Sequence, residues 1–243
     1  MKPLVAQLRL ELALTLRNGE SLLLTMGIPV GFLVFFSLVD VLPIEGDAVD
    51  FLAPGVLAMA VLATAFANLA IATGFDRSYG VLKRLGATPL GRGRLVAAKI
   101  LSTLTVLTVQ GVVVVVVGLA LGWRPEIDPG PVVVAVVLAT VGFVGLALLV
   151  AGRLPALVGL AVSNALFLML MMLSGMVFPL DELPAALRAA AKALPSTALA
   201  EVLHGAFRDG ADIPGWTWFV LATWAVAAVT LATKFFRWEP DPG

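Results

Sequence analysis

The chain has 243 residues, 60% of them hydrophobic and 13% charged. A soluble domain carries roughly 25% charge, so a mean hydropathy of +1.02 excludes a water-coated globule and makes the bilayer the fitting solvent. Sixteen basic and sixteen acidic residues cancel, which excludes the basic surplus of a nucleic-acid footprint, and with no cysteine at all disulfides, thiolate nucleophiles and cysteine metal sites are excluded too.

The first twenty residues do not read as a signal peptide, because Lys2, Arg9, Glu11 and Arg17 interrupt the apolar positions. Leu4, Leu8, Leu12 and Leu16 recur every four residues with basic residues between them, the pattern of a helix lying in the membrane interface. The first long apolar run, 21–41, reads as a retained span. A crossing of about 30 Å needs about 20 apolar residues, and five further runs qualify: 51–74, 95–121, 131–151, 156–178 and 216–234. None alternates as a barrel strand would, so each is expected to be helical, including the valine run Val112–Val117. The expected fold is an all-α polytopic membrane protein with six spans in one domain.

Six spans place both termini on one side. That side holds Lys2, Arg9, Arg17, Arg77, Lys83, Arg84, Arg92, Arg94, Lys99, Arg153, Lys234 and Arg237; the other holds Arg124, Arg188, Lys192 and Arg208. The excess of positive charge assigns the first side to the cytoplasm, with the plasma membrane as the expected location. Trp123, Trp216, Trp218 and Trp238 fall at span ends, where amphipathic rings favour the headgroups. Gly27, Gly31, Gly111, Gly118, Gly142 and Gly145 lie within spans, where small residues let helices approach closely.

Between the second and third spans runs a basic loop, 75–94. Asp76 is placed to cap or start a short helix. Tyr79, Leu82 and Leu85 give it one apolar side, Lys83 and Arg84 project nearby, Gly86 can end it and Pro89 forbids its continuation. An ordinary basic inner loop and an amphipathic surface element both fit. Between the fifth and sixth spans the outer segment 179–215 is far longer than the other outer loops. Alanine-rich 185–193 predicts one short helix, with Arg188 and Lys192 four apart. Ser196 is placed to cap a second, reaching about Phe207 and carrying Glu201 and His204. A structural lid and an extrusion gate fit this segment equally.

Chemistry-bearing motifs are sparse. No lysine follows a glycine, so no phosphate-binding P-loop exists, and the chain is expected to bind no cofactor and catalyse nothing. One histidine, His204, cannot build a zinc site or a Ser-His-Asp triad, and no metal site is expected. No mid-span carboxylate suggests an ion relay. Polar residues within spans are Thr64 and Asn68, Thr105, Thr108 and Gln110, and Ser163 and Asn164. Interhelical hydrogen bonding and a sparsely polar translocation path both account for them. A mainly apolar lining suits a lipid-like or drug-like substrate.

The loop's order Asp76-Arg77, Gly80, Leu82, Leu85, Pro89 and then Lys99 resembles the loop between spans two and three of the ABC type-2 permeases. The family usually has glutamate where this chain has Asp76. A second likeness is Ser174-Gly175-Met176-Val177-Phe178-Pro179 followed by Leu183-Pro184 and Leu194-Pro195, which resembles the family's turn and outer helices. A third is the amphipathic N-terminus ahead of Arg17 and Pro29. The resemblance implies an exporter subunit whose Asp76–Pro89 element couples to a separate P-loop ATPase. Two copies of that ATPase would hold ATP and Mg. It implies a second permease copy, identical or related, since one six-span unit is thin for a pathway. It also implies a gate or turn at Ser174, Gly175, Phe178, Pro179, Pro184 and Pro195. The residues alone leave two rivals: an ion-coupled secondary carrier and a non-transporting assembly or sensor protein.

Overall fold

The computed structural model describes residues 7, 8, 10, 11, 13, 19–39, 47–87, 91–208 and 212–236, with backbone only for 19–24. Among these residues there is no strand; every regular element is a helix. The protein is an all-α polytopic membrane protein.

Helix α1 runs Gly19–Leu38 with Pro29 inside it. Then α2, Ala48–Leu62, passes through a π-helical segment, Ala63–Asn68, into α3, Leu69–Ser78. These three pieces form one continuous 31-residue helix. A short helix α4, Val81–Gly86, follows. Next come α5, Gly91–Ala120, α6, Pro129–Ala151, and α7, Ala156–Met172. A single 3-10 turn at Leu180–Glu182 leads to α8, Ala185–Ala191, then α9, Pro195–Ala206, and α10, Gly215–Phe235. Among the described residues, four helices are long and apolar enough to cross a membrane: Ala48–Ser78, α5, α6 and α10. The apolar stretch Thr25–Leu38 of α1, and α7, are shorter.

The expected fifth span, 156–178, ends early. At 17 residues α7 stops at Met172, which at 1.5 Å per residue is about 25 Å. Residues 173–178 are a turn, because Ser174 Oγ donates to the Met171 carbonyl at 2.7 Å and accepts from the Met176 amide at 3.2 Å. These bonds satisfy backbone groups that would otherwise continue the helix. The expected loop 75–94 is shorter than it read, since α3 extends to Ser78 and α5 begins at Gly91.

The most extensive interface is α6 against α10, and its cause is a seam of small residues. A Cβ on Gly145 would lie 2.6 Å from the Ala228 carbonyl carbon, and one on Gly142 3.4 Å from the Ala225 amide. Ala135, Ala139, Ala147, Ala225, Ala228 and Ala232 are buried along the same two helices. In lipid, helices associate through such close packing rather than by expelling water.

The α5–α6 connection is fixed locally. The Trp123 amide donates to the Gly118 carbonyl at 2.9 Å, and the Gly122 amide to Leu119 at 3.2 Å. With Gly122 at φ 97°, this is a Schellman end, which needs a left-handed residue there. The indole packs on Gly118, where a Cβ would lie 2.7 Å from Trp123 Cε3. Trp123 was expected among the headgroup rings; instead it is 2% exposed and its ring meets Phe207 at 5.0 Å. Asp128 then caps α6 by accepting from the Gly130 amide at 3.1 Å, with Pro129 in the first turn. The Asp128 amide also bonds the Ala206 carbonyl at the end of α9.

The bundle thus has two ends. One carries α4, the starts of α5 and α7 and the end of α10, where Arg92 Nη1 donates to the Lys234 carbonyl at 3.3 Å. The other carries α8, α9, Trp123 and the start of α2, where Phe51 stacks on His204 at 4.6 Å.

Candidate functional site

At the first end, Asp76 neither caps nor starts the short helix. It lies within the last turns of α3, and α4 begins after Gly80, whose φ of 73° breaks the continuous helix. Leu82 anchors α4, being 1% exposed, while Tyr79 is 75% exposed and stays outside the apolar side predicted for it. Lys83 and Arg84 are exposed and Leu85 half-buried. Pro89 and the residues beside it lie outside the described residues.

Arg77 is buried at 4% exposure. Its Nη1 donates to the Ala151 carbonyl at 3.1 Å and to the Leu154 carbonyl at 3.3 Å. Ala151 is the last residue of α6, where carbonyls lack helical partners and the helix dipole is negative. Arg77 is therefore a cationic cap joining α3 to the α6–α7 turn. Its basic character was visible in the sequence; its partners, 74 and 77 residues away, were not.

A second buried cation lies at the same end of the bundle. Lys99, 4% exposed, places Nζ 2.8 and 2.9 Å from the two carboxylate oxygens of Glu11. Gln7 Nε2 donates to the same carboxylate at 2.9 Å, and half-buried Asp76 feels both charges. The described part of the N-terminal stretch is thereby locked to α5. Glu11 was seen in the sequence only as a charge interrupting the apolar positions and Lys99 only as the lysine closing the loop motif; no local signal paired the two.

Of the polar residues predicted to line a path, three meet. Thr64 Oγ1 donates to Gln110 Oε1 at 3.0 Å, Gln110 Nε2 donates to the Thr25 carbonyl at 2.9 Å, and Asn68 Nδ2 donates to Thr25 Oγ1 at 3.4 Å. They tie α1, the π-helical segment and α5 together. Ser163 is buried and Asn164 exposed on α7, apart from this group. Thr105 and Thr108 bond carbonyls of their own helix at 2.9 Å each.

At the other end, the Ser174–Pro179 turn is held on α9. His204 Nε2 lies 3.3 Å from the Gly175 carbonyl, and Thr197 Oγ1 donates to the Leu173 carbonyl at 3.3 Å. Phe178 is 42% exposed. The three prolines start helices: Pro179 precedes the 3-10 turn, Pro184 precedes α8, and Pro195 opens α9. Leu194 is the residue before α9, so Ser196 is no cap; it sits inside the first turn at 0% exposure. Arg188 bonds Asp181 Oδ1 at 3.1 Å and the carbonyls of Asp181 and Leu183 at 3.0 and 3.2 Å. Trp224 Nε1 donates to the Ala193 carbonyl at 3.0 Å, holding the end of α8 on α10. A polar cavity of about 780 Å³ opens here, walled by Glu201, His204, Arg188 and Lys192.

The order of these parts along the chain is matched by a known family profile: that of the ABC-2 type transporter matches residues 4–208. The chain belongs to the ABC-2 type transporter family. It is the membrane permease subunit of an ABC transporter, a membrane transport component that works with an ATP-binding subunit. No curated protein matches the sequence.

The permease also has an apolar cleft of about 460 Å³ between α2, α5 and α6, closed at one end by Leu203 and Phe207. Thr108 supplies its one hydroxyl side chain, and that hydroxyl already bonds the Leu104 carbonyl. Water entering the cleft would find no free polar side chain, so the space suits hydrocarbon.

Proposed function

We propose that the permease exports a hydrophobic or amphipathic substrate, such as a drug, natural product or lipid-like molecule, with ATP and Mg held by two separate ATPase subunits. Two permease copies form the pathway. The α4 end faces the cytoplasm and the α9 end faces outward from the plasma membrane. The observation that carries this reading is the construction of α4. It is a short helix pinned by buried Leu82, presenting exposed Lys83 and Arg84 just after exposed Tyr79, and strung between two helices of 31 and 30 residues.

A push on α4 has two rigid outlets. One is α3, and through the Arg77 cap it reaches the α6–α7 turn. The other is α5, and through Lys99 it reaches the N-terminal stretch. ATP binding that draws the ATPase subunits together would then bias the bundle between two arrangements. The apolar cleft supports the substrate class, and the polar cavity under α8 and α9 supports an outward vestibule.

The test is charge reversal of Lys83 and Arg84 together, each to glutamate. The chain is expected to insert and purify normally. Substrate-stimulated ATPase of the complex is expected to fall about tenfold or more, because like-charge juxtaposition at an interface costs several kcal/mol. Full ATPase stimulation in that variant, or labelling of position 83 from the outer face, sinks the assignment.

A further inference from the structure

Two helical interruptions face each other inside the bundle. Pro29 has no amide hydrogen, so in α1 the carbonyl four residues back, that of Thr25, lacks its helical donor. Across from it, the helix from Ala48 to Ser78 passes through the π-helical segment Ala63–Asn68, a local irregularity that often marks a functional site or hinge. An unsatisfied backbone group in hydrocarbon costs several kcal/mol, so the Thr25 carbonyl requires a partner.

One side chain touches both interruptions. Gln110, 3% exposed, donates Nε2 to the Thr25 carbonyl at 2.9 Å and accepts from Thr64 Oγ1 at 3.0 Å. Its two functional atoms thus close the proline gap on one helix and bond the Thr64 hydroxyl of the π-helical segment on another. Asn68, at the far end of that turn, puts a second amide donor 3.4 Å from the Thr25 hydroxyl. Thr25 thus receives two amide donors, one at its carbonyl and one at its hydroxyl.

We propose that Gln110 is the positioning residue of a hinge, clasping the Pro29 kink of α1 to the π-turn so that the α4 end of the bundle swings against the α9 end. The transport role of that swing rests on the permease reading above; the hinge itself does not. Gln110 touches no substrate in this scheme. It acts through Thr25 and Thr64.

The native chain has no cysteine, so labels can be placed cleanly. The first measurement is a thermal-stability cycle on the full chain in detergent. Pro29→Ala restores the amide that the Thr25 carbonyl lacks and makes the Gln110 donation redundant. Gln110→Met is expected to lower the melting temperature in the native background and to lower it clearly less in the Pro29→Ala background. Equal losses in both overturn the clasp. The second measurement is the distance distribution between spin labels at Arg84→Cys and Leu187→Cys in nanodiscs. Pro29→Ala, which is expected to fold at least as stably as the native chain, should narrow that distribution. An unchanged width overturns the hinge even where Gln110→Met fails to fold. In the complex with its ATPase, Pro29→Ala should lower turnover about fivefold or more, the scale of one coupling energy. A native complex that turns over ATP without moving substrate sinks the transport reading and leaves the two measurements on the chain alone to decide the hinge.

Discussion

Single side chains at long sequence distance do much of the joining in this bundle, and Arg77 is the clearest case. Replacing Arg77 by methionine keeps the apolar stem and removes the Nη1 that donates to both carbonyls of the α6–α7 turn. Hydrogen bonds to a charged group are worth about 1.5–3 kcal/mol each in net terms. We expect Arg77→Met to lose about that much stability and Arg77→Lys to recover part of it, since an ammonium keeps the charge but is more strongly hydrated than a guanidinium. Thermal unfolding of the purified chain checks both; equal midpoints for all three proteins would remove the capping role. The sequence marked Arg77 as a basic residue beside an acidic one, which was enough to find the motif but not its direction. An exposed lysine and a buried arginine look alike in a string, because the carbonyls that bury the arginine belong to a turn about 75 residues on. The same limit hid the Thr25 carbonyl, a backbone group made available by a proline four residues later.

Among elements, long apolar runs were legible because lipid leaves the backbone no alternative to the helix. All-valine Val112–Val117 lies within α5 as expected. Boundaries near turns were less legible. Residues 173–178 are as apolar as a span, yet Ser174 diverts the backbone before they can join one. Ser196 carried the right residue type for a cap, but Pro195 fixes the first turn one residue earlier. Trp123 was placed by its position at a span end, while the Schellman geometry folds it back onto Gly118. The α6–α10 seam belongs to this scale as well. A leucine at Gly145 would have to occupy space already held by the Ala228 backbone. We expect Gly145→Leu to cost about 1–3 kcal/mol or more by overpacking and to expose α10 to limited proteolysis. Gly111→Leu, at a position with nothing within 4 Å of the added carbon, serves as the control. Equal protease resistance in the two variants would show that the seam does not hold α10.

For the whole molecule, stability inherits a dependence on acid from the α9 end. His204 is the only histidine. Burial, and then the neighbouring Arg208, lower its pKa from 6.5 to about 4, although the Gly175 carbonyl works the other way. In the unfolded chain it takes up a proton near pH 6.5; in the folded chain it does so only near 4. Its contribution is therefore fully present above pH 6.5, is lost progressively as pH falls toward 4, and changes no further below that. A move from 6.5 to about 4 corresponds to roughly 3 kcal/mol. Glu201, raised by burial and then by Asp181, pulls in the opposite sense, so the measurement is a difference. The melting point of the native chain minus that of His204→Gln should shrink between pH 6.5 and 4. A constant difference would remove His204 as the cause.

The shortness of α7 carries a consequence for the surrounding membrane. About 25 Å of helix presents exposed Leu157, Val158, Leu168, Met169 and Met172 to a hydrocarbon slab of about 30 Å, a deficit that lipid meets by thinning at modest cost per ångström. The same protein meets no such deficit along the Ala48–Ser78 helix, which is 31 residues long. The annulus of lipid around the permease is therefore uneven, pinched beside one helix and relaxed beside another. Acyl-chain length then acts on the protein from a single flank, and thin bilayers are its more comfortable home.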